Sequence, residues 1–288
     1  MPAEKRSPSG ELAVVTGAST GIGAATARAL AARGLHVLAG VRRDSDAEAL
    51  QAERVEPVII DITARADIEA VAKRVAADPA GRPLRALVNN AGIAVNAPVE
   101  ALPMAEWRRQ FEVNFFGHIA MTQALLPALL DSSGTVVNIS SVGGRVAMAT
   151  YGAYAGSKFA MEAASDALRR EVGKFGVRVI IVEPGAVMTE MSGRGIATAE
   201  GLAADMTADQ HNRYDALMGA ITAQARAFAR DGEPAAEAAR VIAGAITARK
   251  PKTRYTIGRD AAVIVRLARL APDRLLDRNL RPHYPKAS

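Results

Sequence analysis

The chain has 288 residues, 49% of them hydrophobic and 23% charged, with no cysteine and a formal net charge of +6. This composition supplies ample apolar material for a core, and it excludes disulfides, thiolate metal sites and a cysteine nucleophile while leaving the redox compartment open. The positive balance does not read as nucleic-acid binding, because the basic residues are scattered and no aromatic-rich platform accompanies them.

Residues 1–10 are polar, with Pro2 and Pro8, and lack the apolar core of a signal peptide or anchor, so they read as a flexible tail. The longest apolar runs beyond them are strand-sized, which predicts a soluble, cytoplasmic chain. From residue 11 to 288 the pattern predicts one α/β domain, a Rossmann-like doubly wound parallel sheet of about seven strands with helices on both faces. The strands are expected at Leu12–Thr16, His36–Val41, Pro57–Asp61, Arg85–Asn89, Thr135–Ser140, Val177–Glu183 and Thr253–Ile257. Residues 189–234 are Ala-rich, punctuated by glycine and without a clear period, and read as a substrate lid. A helix is expected from Ala235 to Arg249, then a C-terminal helical extension over 259–282. In that extension Val263, Ile264, Leu267, Leu270 and Leu275 form an apolar stripe beside Arg266, Arg269, Arg274 and Arg278. Such a stripe normally packs on its own domain; contact with a membrane surface is the less favoured alternative.

The first chemical signal is Thr16-Gly17-Ala18-Ser19-Thr20-Gly21-Ile22-Gly23, between the first strand and a helix reaching about Arg33. Glycine permits a tight turn and close backbone approach, and the free amides and dipole of a helix start attract a dinucleotide's pyrophosphate. The alternative is a glycine-rich turn with no ligand. NAD-selective sites usually carry an acid about 20 residues beyond the glycines. Here Gly40 stands near that place and Arg42 and Arg43 follow, which favours a 2′-phosphate and hence NADP. Two solvated loop arginines are the bland reading, and Asp44 and Asp46 keep NAD open. Asp61 either receives an adenine amino group or caps the helix after it.

Asn89-Asn90-Ala91-Gly92 closes the fourth strand, at the carboxyl end where such sheets meet ligands. Tyr154-Ala155-Gly156-Ser157-Lys158 opens a helical stretch running to Phe175, and its tyrosine and lysine, four apart, share a face. Ser141 ends the fifth strand segment Asn138-Ile139-Ser140-Ser141, so its hydroxyl and the Tyr154 phenol can converge above the sheet. His36, His118, His211 and His283 sit in no ligand spacing, and no metal site is expected.

With these motifs in this order the chain resembles the short-chain dehydrogenase/reductases. Thr16–Gly23 matches the family's TGxxxGxG turn, Asn89–Gly92 its NNAG, Ser141 its catalytic serine, Tyr154–Lys158 its YxxxK and Asn114 its fourth catalytic residue. Pro184-Gly185 with Thr189 matches the PG-x3-T segment that grips the nicotinamide carboxamide and leads into the lid. The matches run from about Leu12 to Thr189, and Gly152–Glu171 resembles the retinol and 17β-hydroxysteroid dehydrogenase branch.

The resemblance implies an oxidoreductase that moves a hydride between NADP, or NAD, and an alcohol or carbonyl substrate, with Asn114, Ser141, Tyr154 and Lys158 catalytic. It implies a cofactor held by Gly17, Ser19, Thr20, Gly21, Ile22, Gly23, Arg42, Arg43, Asp61, Ile62, Asn90, Ala91, Gly92, Tyr154, Lys158, Pro184, Gly185, Val187 and Thr189. It also implies a homodimer or homotetramer built through the helices of Asn114 and Tyr154. In that scheme Ser141 orients the substrate oxygen, Tyr154 exchanges the proton, Lys158 holds the nicotinamide ribose, and Asn114 links Lys158 to solvent through water. A positive charge about 5 Å from a phenol at an effective dielectric near 20 favours phenolate by about 3 kcal/mol, so Tyr154 is expected to work somewhat above neutrality. The apolar content of Ala186–Met218 predicts a hydrophobic substrate, steroid-, retinoid- or lipid-like. Two alternatives are a non-catalytic NAD(P)-sensing regulator, whose relatives typically lose the tyrosine or lysine, and an epimerase or dehydratase, usually with a different glycine spacing.

Overall fold

Short runs that are apolar on both faces can be satisfied only in a sheet covered on both sides. In the computed structural model, which describes residues 10–281, seven strands pair in parallel, and the five central ones are buried along nearly their whole length. The expectations for residues 1–9 and for residue 282, and His283, lie outside the described residues. The strands are β1 (Leu12–Val15), β2 (His36–Val41), β3 (Val55–Ile59), β4 (Leu84–Asn89), β5 (Thr135–Ile139), β6 (Arg178–Pro184) and β9 (Arg254–Ile257), in the order β3-β2-β1-β4-β5-β6-β9. Two-residue strands β7 (Val187–Met188) and β8 (Glu233–Pro234) pair separately. The order reverses between β1 and β4, which is where a doubly wound sheet opens its ligand crevice.

The connecting helices are α1 (Gly21–Ala31), α2 (Asp44–Leu50), α3 (Arg65–Ala76), α4 (Met104–Phe111), α5 (Gly117–Ser132) and α6 (Gly152–Val172). After β6 come α7 (Glu190–Ala204), α8 (Ala208–Asp231), α9 (Ala235–Thr247), α10 (Arg259–Leu270) and α11 (Asp273–Asn279). Alternation along β1 divides the core: Ala13 and Val15 join Leu30 and Ile242 on one face, Leu12 and Val14 join Met121 and Leu125 on the other.

Three departures from expectation have physical causes. Strand β3 starts at Val55 and ends at Ile59, set by pairing with Val37 through Val41 of β2; Pro57 is tolerated because β3 is the sheet edge. The lid segment is helical, as α7 and α8, and a capping box starts α8: Thr207 Oγ1 accepts from the Gln210 amide while the Thr207 amide donates to Gln210 Oε1. The C-terminal stripe does not pack on the domain as one unit. Ala261 and Ile264 of α10 turn inward, whereas Val263, Leu267 and Leu270, the last 85% exposed, lie on the opposite face, and Pro272 redirects the chain before Leu275.

Helices α4 and α5 are joined through a π-helical stretch, Glu112–Phe116, into one helix from Met104 to Ser132. Among the described residues it is the one helix long and apolar enough to cross a membrane, yet it buries Gln110, Asn114, His118 and Thr122 against the sheet and its loops.

Candidate active site

The carboxyl ends of the central strands open into a cleft of about 910 Å³. Behind one wall of it lies Thr16, whose hydroxyl donates to the Val88 carbonyl (3.3 Å) and accepts from the amides of Asn90 (3.0 Å) and Ala91 (3.1 Å). Asn90 Nδ2 in turn donates to the carbonyls of Thr16 (2.9 Å) and Gly17 (3.0 Å). The glycine turn and the NNAG loop are thus one hydrogen-bonded unit across β1 and β4. Gly17 has φ +63°, and a Cβ there would fall 2.6 Å from Ala91 Cα. A Cβ on Gly23 would fall 2.2 Å from the Gly17 carbonyl oxygen, so Gly23 closes the turn rather than lining the cleft. Gly23→Ala is expected to cost about 2–3 kcal/mol by overpacking and to lower Tm by roughly 4–10 °C. A scanning-fluorimetry midpoint equal to wild type would mean that the turn relaxes freely.

Thr20, the N-cap of α1, makes no side-chain cap bond, and the first turn carries no acid. Its amides and the positive helix end face the cleft, a fit for pyrophosphate, with the Glu190 carboxylate of α7 close to Gly21, 3.7 Å from where a Cβ there would sit. Ser19, Thr20, Gly21 and Ile22 line this wall, and Asn90, Ala91 and Gly92 the floor. Arg42 also lines the cleft, but Arg43 is turned away, 72% exposed on its side chain and bidentate to Asp46 (2.9 and 3.0 Å). Asp61 and Ile62 line the cleft; Asp61 Oδ1 also accepts from the Thr63 amide (2.9 Å) and hydroxyl (2.7 Å), holding the turn before α3. Pro184, Gly185, Val187 and Thr189 form the opposite wall.

Tyr154 and Lys158 lie on the first turns of α6 with the Lys158 Nζ 5.9 Å from the phenol ring centre. Lys158 is 4% exposed and its Nζ donates to the Ile139 carbonyl at 2.8 Å. Ser141 caps the short 3-10 turn Val142–Gly144, its hydroxyl accepting from the Gly143 amide at 3.0 Å. Gly143 lets that turn lie against the phenol, since a Cβ would sit 3.1 Å from Tyr154 Cε1 and 3.4 Å from Ser141 Oγ. Asn114 falls in the π-helical stretch, a distortion frequent at functional sites. Its Oδ1 accepts from the Ile93 amide (2.9 Å), and its Nδ2 donates to the Ile93 carbonyl (3.0 Å) and the Ser157 hydroxyl (3.4 Å).

Burial pushes the Tyr154 phenol above its ordinary value of 10, with the Ser141 hydroxyl opposing. Burial also pulls Lys158 down to about 8, with Glu162 opposing. In this structure desolvation is the largest influence on Tyr154, and the phenol is protonated at neutral pH.

Two site residues escaped the sequence reading. His118, which burial and then Lys158 hold down to about 3, stays neutral, its Nε2 within 2.7 Å of the Ala91 carbonyl in the NNAG loop. Gln110 accepts from the Val95 amide and donates to the Ile93 carbonyl, both at 2.8 Å, so it shares with Asn114 the job of holding residues 93–95. Neither carries a spacing signal. An apolar part of the cleft is lined by Val146, Met148, Met191, Ile196, Ala199 and Met218, from the loop after β5 and from α7 and α8.

A family model described as short chain dehydrogenase matches residues 11–200. The chain is similar to an NADPH-dependent 3-dehydrocapnine reductase of Ornithobacterium rhinotracheale, 34% identical over 92% of this chain and 94% of that protein. It is also similar to human retinol dehydrogenase 5, 37% identical over 94% of this chain and 88% of that protein. Among solved structures, a short-chain dehydrogenase from Burkholderia cenocepacia in complex with NADP superposes with a TM-score of 0.73 at 29% identity, covering 95% of this chain and 98% of that one.

Proposed function

From the premise that the chain belongs to the short-chain dehydrogenase family, we propose that it interconverts a hydrophobic alcohol and its ketone or aldehyde, with NADP(H) as the cofactor and Ser141, Tyr154 and Lys158 as the catalytic residues. The observation that carries this reading is the convergence of a buried ammonium, a phenol 5.9 Å away and the Ser141 turn at one end of a cleft whose other end is an uncapped helix start. The nicotinamide nucleotide supplies or accepts the hydride. Ser141 donates a hydrogen bond to the substrate oxygen and orients it. Tyr154 gives that oxygen a proton in reduction and removes it in oxidation, and Lys158 stabilises the phenolate left behind. Asn114 and Gln110 hold the loop at Ile93 that borders the reacting centre.

Arg42 would read the 2′-phosphate in this scheme; its position on the cleft lining and the NADPH dependence of the similar 3-dehydrocapnine reductase support that choice. Arg42→Ala is expected to weaken NADPH binding by about 10- to 100-fold and leave NADH within about twofold, because a charge-assisted bond is worth about 1.5–3 kcal/mol. Fluorescence titration of both nucleotides checks this; an equal loss for both would take Arg42 off the phosphate.

The apolar wall supports a hydrophobic substrate, as does the similarity to a protein named for retinol. Initial rates on a panel of long-chain and polycyclic ketones and alcohols, with NADPH and with NADH, test the whole reading through the absorbance of the reduced nicotinamide. Turnover confined to small polar carbonyls would refute the substrate class. The same reading has two copies pairing through the outer faces of the Asn114 and Tyr154 helices, where Phe116 and Phe159 are exposed.

A further inference from the structure

Behind the Tyr154–Lys158 face lies a second group of charges that the mechanism does not use. Glu162, one turn beyond Lys158 on α6, is 4% exposed, and Glu183 on β6 is 1% exposed. Arg254 of β9 reaches both: its Nε lies 3.1 Å from Glu162 Oε2 and 3.5 Å from Glu183 Oε1. Its Nη2 lies 2.9 Å from Asp166, again on α6. Arg145, just past the Ser141 turn, stands 3.7 Å from Glu162 and 3.8 Å from Glu183. Three carboxylates therefore meet three guanidiniums, since Asp166 also pairs with Arg169 at 2.7 Å, and Glu162 is the carboxylate of the group that lies one helical turn from the buried Lys158.

A buried ammonium is costly unless an anion balances it. The groups around Lys158 are Tyr154 and Glu162 on its own helix, His118 from α5 and the Ile139 carbonyl from β5. Tyr154 and His118 are neutral at pH 7, so Glu162 is the anion among them. Around Glu162 stand Ser140 and Arg145 from the end of β5 and the turn after it, Glu183 from β6 and Arg254 from β9. Burial, with Glu183 adding to it, pushes the Glu162 carboxyl above its ordinary value, and the Ser140 hydroxyl and Arg254 oppose that shift without cancelling it; the guanidiniums of Arg254 and Arg145 are the cations beside it that favour its charged form.

We propose that Glu162 is a positioning residue for the Tyr154–Lys158 pair: held charged by Arg254 and Arg145, its carboxylate keeps the buried Lys158 ammonium charged and in place. What the pair does rests on the function proposed above; whether Glu162 controls the Lys158 charge does not. Residues four apart on a helix are neighbours, and one unit charge at that range, partly neutralised by two arginines, is worth about one pH unit in the lysine midpoint.

The test is the titration of Lys158 itself, followed by NMR of ¹³C-labelled lysine side chains without substrate or nucleotide, the Lys158 resonance being assigned with Lys158→Arg. In Glu162→Gln, which keeps shape and removes charge, the midpoint is expected about one unit lower than in wild type, and Glu162→Asp is expected to restore it. The alkaline limb of carbonyl reduction moves with it. A folded Glu162→Gln protein whose midpoint stays within about 0.2 unit of wild type overturns the proposal and leaves Glu162 a structural brace. Should that variant fail to fold, Glu162→Ser, which removes the same single charge and leaves room for water at the guanidiniums of Arg254 and Arg145, carries the same measurement and the same expected sign. Absence of turnover by the wild-type protein would refute the enzyme reading while leaving this titration intact; an unmoved midpoint in an active protein refutes this inference alone.

Discussion

Tyr154→Phe is expected to lower turnover of a reducible ketone by about three orders of magnitude while NADPH affinity stays within about threefold of wild type. The substitution keeps the ring, its edge contact with Tyr151 at 6.2 Å and its contact with Gly143, and removes only the hydroxyl. Ser141 alone then faces the charge developing on the substrate oxygen, and the general acid is gone. Because that interaction is made only as the proton moves, kcat and kcat/KM should fall together. The pH profile of wild-type reduction carries the same signature. Burial holds the phenol above 10, so it keeps its proton throughout the neutral range, and the group that changes charge first on the alkaline side is Lys158, at about 8. Lysine is cationic below its pKa; reduction is therefore expected to be level near pH 7 and to decline as pH rises through about 8, as the phenolate left after proton transfer loses its partner. Initial rates across that range for both proteins decide it, and a Phe variant retaining a large share of wild-type turnover would remove Tyr154 from the chemistry.

Local features of the site were legible because their physics is local. Strand β2 lies where its uninterrupted apolar run placed it, and Tyr154 and Lys158 share a helix face because four-residue spacing leaves no alternative. The Thr16–Gly23 turn and Asn89–Gly92 were visible as separate signals, but their union through the Thr16 hydroxyl and Asn90 amide is a contact across more than seventy residues that no spacing encodes. Gly23 and Arg43 carried motif signals yet face away from the cleft: one is needed for close packing, and the other finds a nearer partner in Asp46. Helices α7 and α8 were obscured because alanine and glycine blur the helical period; the Thr207–Gln210 capping box was the readable sign of the second. Arg145, Glu162, Glu183 and Arg254 come from four separate segments, and only the sheet order, with β9 beside β6, brings them together.

Lys158→Met is expected to cut turnover by at least about 100-fold and weaken NADPH binding about tenfold, yet to leave the protein at neutral pH no less stable than wild type. The two halves of that result have one origin. In the folded chain burial holds the Lys158 value at about 8, below its ordinary 10.5, so the native state binds this proton more weakly than the unfolded state does. The resulting penalty is fully present below about pH 8, shrinks as pH rises toward 10.5 and is absent above it; it amounts to a few kcal/mol at most. Methionine removes the penalty and fills nearly the same space, and what it gives back is the bond to the Ile139 carbonyl and the counter-charge for Glu162. Melting curves of the two proteins should therefore differ most in the variant's favour near neutrality and converge in alkali. A purely structural lysine would behave in the opposite way, its loss lowering Tm without a selective effect on turnover. If Lys158→Met were both destabilised at neutral pH and fully active, the ammonium would belong to the scaffold and not to the reaction.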